Sequence, residues 1–221
     1  MKKQQAGFTL IELAIVLVII GLLLGGVLKG QELINSAKVK NMASDFKNIQ
    51  VYIYGYQDKF KALPGDDRSA DTHLTGGVLA TTGGTVGNGV IEGAYNDESG
   101  TTESALFWQH VRLAGLAAGP TSTADGNYYP TNADGGRIGV SSVAGNTAVT
   151  VLSGANGGIS GAFIICSNGV LGKFAKQLDT ALDDGNTQTG SVRVVTDGAV
   201  SIGLTNALTL DSSPYVVCMA F

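Results

Sequence analysis

Residues Phe8–Leu28 read FTLIELAIVLVIIGLLLGGVL, and Glu12 is the one ionisable side chain among them. As an α-helix these residues reach about 31 Å, roughly the hydrocarbon thickness of a bilayer. The segment ahead of them, MKKQQAG, is short, polar and basic. A secretory signal sequence begins in the same way. Such a signal is cut after its apolar run at a small-x-small site, whereas here the run leads into Leu28-Lys29-Gly30-Gln31-Glu32. The order of features therefore predicts an apolar helix that the mature chain keeps.

The helical period continues past this run. Ile34, Met42, Phe46, Ile49, Ile53, Tyr56, Phe60 and Leu63 are mostly three or four apart, with Lys38, Lys40, Asp45, Lys47 and Asp58 between them. That stripe predicts an amphipathic second half, stopped by Pro64-Gly65. A helix from Phe8 to about Ala62 is far longer than globular domains use.

The remainder is compositionally different. Of 221 residues, 32 are Gly, 14% are charged, and 14 Lys plus Arg face 18 Asp plus Glu for a net charge of −4. A disordered chain would be charge-rich and apolar-poor, so disorder is excluded as the overall description. The acidic balance leaves no electrostatic footprint for duplex nucleic acid. Residues 64–102 read as Gly-rich loop, then Glu103–Ala118 as a short helix behind the cap candidates Thr101 and Thr102. Residues 119–136 read as loop again. Arg137–Val143, Thr147–Leu152 and Ile159–Cys166 are β-branched runs between turn residues and predict strands. Val170–Asp183 places Leu171, Phe174, Leu178 and Leu182 on one helical face, with Gly185 near its stop. Ser191–Thr196 and Pro214–Cys218 read as the last strands. The expected class is α+β: an antiparallel-sheet head packed on the second half of the long helix, with extra Gly-rich loops and short helices. No internal repeat is evident.

Lys2-Lys3-Gln4-Gln5-Ala6-Gly7 followed by Phe8-Thr9-Leu10-Ile11-Glu12 resembles the leader and mature start of a type IV prepilin. The shared features are a basic leader, Gly before the cut, an N-terminal Phe, Glu as fifth mature residue and a long apolar helix. They cover about the first 30 residues. The family includes pilus subunits, minor pilins and the pseudopilins of type II secretion. The resemblance implies cleavage between Gly7 and Phe8 by a prepilin peptidase and N-methylation of Phe8. It also implies four segments: a leader at 1–7, a transmembrane or filament-core helix at 8–28, an amphipathic half at 29–63 and an extracytoplasmic head at 64–221. The implied partners are the peptidase, other pilin or pseudopilin subunits and an inner-membrane assembly platform. The implied location is the bacterial inner membrane, with a cytoplasmic leader and periplasmic head, and then a filament. Many members carry Pro inside the apolar helix; this chain has none, so Gly25-Gly26 would be its soft point.

Glu12 can be argued without the family. An acid inside an apolar membrane segment costs on the order of 3 kcal/mol. Its three- and four-residue neighbours are Phe8, Thr9, Ile15 and Val16, none of them basic. Cleavage would leave a free ammonium on Phe8. In a bundle of parallel helices, one subunit's Glu12 can meet a neighbour's Phe8 ammonium, which would set the register of assembly. The competing reading is a protonated, snorkelling Glu12. Gly21/Gly25 and Gly26/Gly30 add two small-xxx-small spacings.

With the head outside the cytoplasm, one pair of cysteines allows one bridge, Cys166–Cys218, in a compartment where disulfides persist. It would close a loop of about 53 residues, worth on the order of 4 kcal/mol. Pilins often close a C-terminal region this way, and two buried free thiols are the alternative. Asp179, Asp183 and Asp184 could offer oxygen ligands to calcium, but an acidic helix end before Gly is more often a solvated turn, so no metal site is expected. Gly87-Asn88-Gly89-Val90-Ile91-Glu92 reads as a turn entering a strand. His110, between Leu106 and Leu113, reads as a satisfied interior histidine, and Trp108 with the pair Tyr128 and Tyr129 as core or interface filling, a partner-facing role being the alternative. No nucleophile–base, Walker or zinc-protease motif is present, so neither an enzyme nor a cofactor is expected. Two readings remain. One is a filament subunit, minor pilin or pseudopilin-like or a major pilin. The other is a membrane-anchored extracytoplasmic protein that binds a ligand or calcium without polymerising.

Overall fold

The computed structural model describes residues 9–144, 158–196 and 211–221. They fall into two compact units, Met1–Lys38 and Val39–Phe221. The first is the beginning of helix α1 (Leu10–Phe60). None of its described side chains is buried, and Leu10, Ile11, Leu17 and Leu22 are each more than two-thirds exposed. Ile34 was expected to open the buried stripe and is instead 60% exposed, because nothing in this unit covers it.

In the second unit α1 buries Val39, Met42, Phe46, Ile49, Ile53 and Tyr56. Their alternating three- and four-residue steps keep them on one face, and burial there is what holds this half of the helix. The helix ends at Phe60, before the Pro64-Gly65 stop expected from the sequence. Lys61 takes a left-handed conformation (φ 55°), while its amide still donates to the Gln57 carbonyl and its Nζ to the Asp58 carbonyl. A left-handed residue breaks the helical path directly, so the proline is not needed as the stop.

Four antiparallel strands follow in the spatial order β1-β2-β4-β3: β1 (Ile138–Ser142), β2 (Phe163–Leu171), β3 (Val192–Val195) and β4 (Pro214–Ala220). Alternate residues face opposite sides. Val140, Ile165, Val194 and Val217 join the core with α1, while Ile164, Cys166, Val195, Val216 and Cys218 form a second cluster. Both faces of the sheet are therefore buried. Among the described residues the unit also holds the helices α2 (Ala70–His73), α3 (Glu103–Leu113) and α4 (Gly172–Leu182).

The class is thus α+β as expected, with local corrections. Helix α2 interrupts the stretch read as loop. Helix α3 stops five residues before Ala118, where Gly115 turns the chain at φ 77°. Strand β2 starts at Phe163 instead of Ile159 and runs on through Val170 and Leu171, residues whose spacing also fits the following helix. A bulge between Ser167 and Val170 keeps both halves paired with β4, Gly169 taking φ 68°. The turn at 87–92 does not enter a strand, since no residue from 87 to 102 is in one. Ile91 instead lies beside β1, where its carbonyl accepts from the Ser142 amide and its amide donates to the Ser142 hydroxyl. The strand expected at Thr147–Leu152 lies outside the described residues.

Candidate functional site

Glu12 sits in the first turn of α1, and its partner is Thr9. The Thr9 amide and hydroxyl each donate to Glu12 Oε2 at 2.8 Å, and the Glu12 amide donates to Thr9 Oγ1 at 3.3 Å. This is a capping box, in which Thr at the helix start and Glu three residues on satisfy each other's free amides. The T-x-x-E spacing that makes this box is local in the sequence. Gly7 and Phe8, the expected cleavage and methylation positions, lie outside the described residues. At Gly21, Gly25, Gly26 and Gly30 an added Cβ would meet nothing. The flat surfaces these glycines leave are used by no other part of the described chain.

Cys166 and Cys218 are joined by a disulfide. They face each other across the β2–β4 pairing and are fully buried. The bridge therefore ties the last strand to the centre of the sheet.

Around the end of α1 the chain folds a buried polar network that has no sequence signature beyond the run Asp66-Asp67. Tyr56 Oη donates to Asp67 Oδ2 at 2.8 Å, His73 Nδ1 approaches the same oxygen at 2.7 Å, and the Ser69 amide donates to Oδ1. Burial pushes the Asp67 carboxyl up, but hydrogen bonds from His73, the Ser69 amide and Tyr56 outweigh it and leave it below the usual range. Tyr56 is pushed well above its ordinary value, first by burial and then by Asp67. A cavity of about 450 Å³ beside this network is lined by Phe60, Lys61, Arg68, His73 and Phe163 among others. His110 is fully buried, its Nδ1 accepting from the Gly65 amide at 2.9 Å and its Nε2 bonded to the Val78 carbonyl at 2.8 Å. Both nitrogens are satisfied by the neutral ring, and burial lowers its pKa. It is the interior histidine expected. Trp108 and Tyr128 are core residues, Tyr128 donating to the Ala105 carbonyl at 2.8 Å.

Two buried acids stand out. Glu103 is fully buried at the start of α3, where Oε2 accepts from the Glu92 amide at 2.8 Å and Oε1 has no partner. Burial pushes its pKa up to about 7, the Glu92 amide opposes this, and the carboxylates of Asp66 and Glu92 push it further up. The folded state thus holds a proton between pH 4.5 and about 7 that the unfolded chain has lost. Stability should fall as pH rises through that window, by on the order of 3 kcal/mol at most. Urea unfolding at about pH 5 and about pH 8 measures the fall. In Glu103→Gln the fall should shrink by that amount, and an unchanged slope would show that Glu103 does not carry it. Comparing the two proteins removes the contribution of other acids in the same range, Asp179 among them.

Asp179 is the second. It lies in the last turn of α4 with no exposed surface, and neither carboxylate oxygen has a hydrogen-bond partner. Burial, then Asp184 and Asp183, push its pKa up to about 7, against the pull of the Gly185 amide and Arg193. The three aspartates that the sequence suggested as a solvated turn are brought together here, one of them inside the protein.

A helix whose described residues through Lys38 have no buried side chain, opened by a capped Thr9–Glu12 turn and followed by a disulfide-closed head, defines a membrane-anchorable protein. The helix is long and apolar enough to cross a bilayer. Residues 2–28 match the family model of the prokaryotic N-terminal methylation motif. The chain therefore carries the prepilin-type cleavage and methylation signal. No curated protein and no solved structure matches the chain.

Proposed function

We propose that this chain is a structural subunit of a type IV pilus or type II secretion filament, processed by prepilin peptidase and assembled from the inner membrane. The observation that carries the reading is the motif at residues 2–28 continuing into a helix whose apolar side chains, among the described residues through Lys38, are not buried. Lipid would cover that surface before assembly, and the helices of neighbouring subunits after it. The segments follow: leader 1–7, membrane or filament-core helix 8–28, amphipathic half 29–63, and periplasmic head from 64 on. A head of about 158 residues with long Gly-rich loops favours a minor pilin or pseudopilin role over a densely repeated major subunit. Glu12 supports polymerisation over simple anchoring, because the cap with Thr9 does not need the charge that lipid makes costly, whereas pairing with a neighbour's Phe8 ammonium does.

Intact-mass analysis of the membrane-extracted protein tests the reading. Removing seven residues from 221 leaves 214, takes away Lys2 and Lys3, and moves the formal side-chain charge from −4 to −6. Phe8 should be the N-terminus and carry one added methyl. An N-terminus beyond Leu28 would overturn the proposal, since the helix would then have been removed as a signal sequence.

A further inference from the structure

We infer that the head binds a free α-amino acid with a small side chain, in a cavity where Asp45 and Arg112 line the same space without pairing. The cavity, of about 100 Å³, lies between Asp45 and Ile49 of α1, Trp108 and Arg112 of α3, and Ile138 of β1. Charges inside a protein are ordinarily paired. Arg112 is only 9% exposed. Its Nη1 donates to the Pro120 and Tyr128 carbonyls at 2.7 and 2.6 Å, and its guanidinium lies over the Trp108 and Tyr128 rings. Nε is buried without a partner, and no carboxylate pairs with the group among the described residues. Asp45 is half-buried and likewise has no hydrogen-bond or ion-pair partner among the described residues. Burial pushes its pKa up with no cation to oppose it, while burial lowers that of Arg112 against the pull of Tyr128 and Tyr52.

The two charges sum to zero, and so do those of an α-amino acid. The carboxylate of the ligand would accept from Arg112 Nη2, which has no partner among the described residues, and its ammonium would donate to Asp45. A simple anion would leave Asp45 unpaired, and a simple cation would leave Arg112 unpaired. Both charges are satisfied together when the ligand carries its two groups on one carbon, because α1 and α3 offer their partners from different sides of the cavity. At about 10–15 Å³ for each water-sized group, the space takes roughly seven to ten such groups, which matches a small amino acid. Ile49, Trp108 and Ile138 supply an apolar wall for an aliphatic side chain. This inference does not depend on the filament reading.

Trp108 is the one tryptophan of the chain and lines the cavity, so its fluorescence reports on the site. Full-length protein in detergent, titrated with L-alanine, should show a saturable change with a Kd on the order of 1 mM. Propionate lacks the ammonium and ethylamine lacks the carboxylate, so each should bind at least tenfold more weakly. Asp45→Asn keeps the shape of the half-buried side chain. It should weaken alanine binding at least tenfold and leave the response to propionate unchanged. Arg112→Gln should lose the alanine response while circular dichroism shows a folded head. Arg112 also holds two carbonyls, so Asp45→Asn decides the matter if the Arg112 variant does not fold. No saturable change up to about fifty times the expected Kd, propionate or ethylamine binding as well as alanine, or undiminished alanine binding in Asp45→Asn would each overturn the site.

Discussion

Glu12→Ala protein is expected to reach the membrane, lose its leader and be depleted from filaments. Removing the carboxylate takes a costly charge out of an apolar segment, so insertion of the monomer should be no worse. Cleavage after Gly7 should survive as well, because the variant leaves the leader and the Gly unchanged. What the variant lacks is a carboxylate for the Phe8 ammonium of an incoming subunit. The Thr9–Glu12 capping box adds a second consequence, since Ala also removes a cap worth about 1 kcal/mol. Glu12→Gln separates the two roles, because Gln serves a capping box as Glu does but carries no charge. If the ion pair between subunits decides assembly, Gln should fail like Ala. If the cap alone matters, Gln should assemble like wild type, and the ion-pair mechanism is then wrong. A simple anchored binding protein predicts that neither change alters the head's work. The measurement is the ratio of each variant in sheared or crosslinked filaments to that in membranes, with the sister prepilins present. Glu12→Ala entering filaments as efficiently as wild type would refute the mechanism outright.

Loss of the Cys166–Cys218 bridge should produce the largest fall in head stability of any covalent change. The bridged residues are 52 apart, and freeing such a loop in the unfolded chain costs on the order of 4 kcal/mol in the chain-entropy model. The sheet itself should persist, because β2 and β4 pair from Ile164↔Ala220 to Leu171↔Pro214 without the sulfurs. Replacing both cysteines by Ala should therefore lower the urea midpoint strongly while leaving the far-ultraviolet dichroism of the folded protein intact. Cys218→Ser should be somewhat worse, since it also buries a hydroxyl among Ile164, Val195 and Val216. Thiol labelling of the denatured, unreduced protein should find no free thiol. Two per chain would show that the exported protein is not bridged.

The parts legible in the sequence are those whose physics is local. The apolar run, the amphipathic stripe from Met42 to Tyr56, the Thr102 cap and the alternating strands each depend on residues a few positions apart. The capping box at Thr9 and Glu12 is equally local, since its two residues are three apart. The errors fall where a long-range contact overrode a local signal. Val170 and Leu171 fit a helical face, yet β4 offered backbone partners that extended β2 through a bulge. The end of α1 is the exception, since the left-handed Lys61 stops the helix ahead of Pro64 with contacts to Gln57 and Asp58 alone, which are local.

What the sequence determined alone is the membrane-competent helix and the processing signal, because both are read from contiguous residues by lipid and by a peptidase. Only the tertiary structure decided that Asp67 would gather Tyr56 and His73, and that Glu103 would lie fully buried and raised in pKa. It also set Cys166 opposite Cys218 and turned Asp179 inward while Asp184 stayed in water. Those outcomes depend on burial and on distances between residues far apart in the chain. A carboxylate has the same identity in either environment, and only the packed fold sets the dielectric and the partners around it.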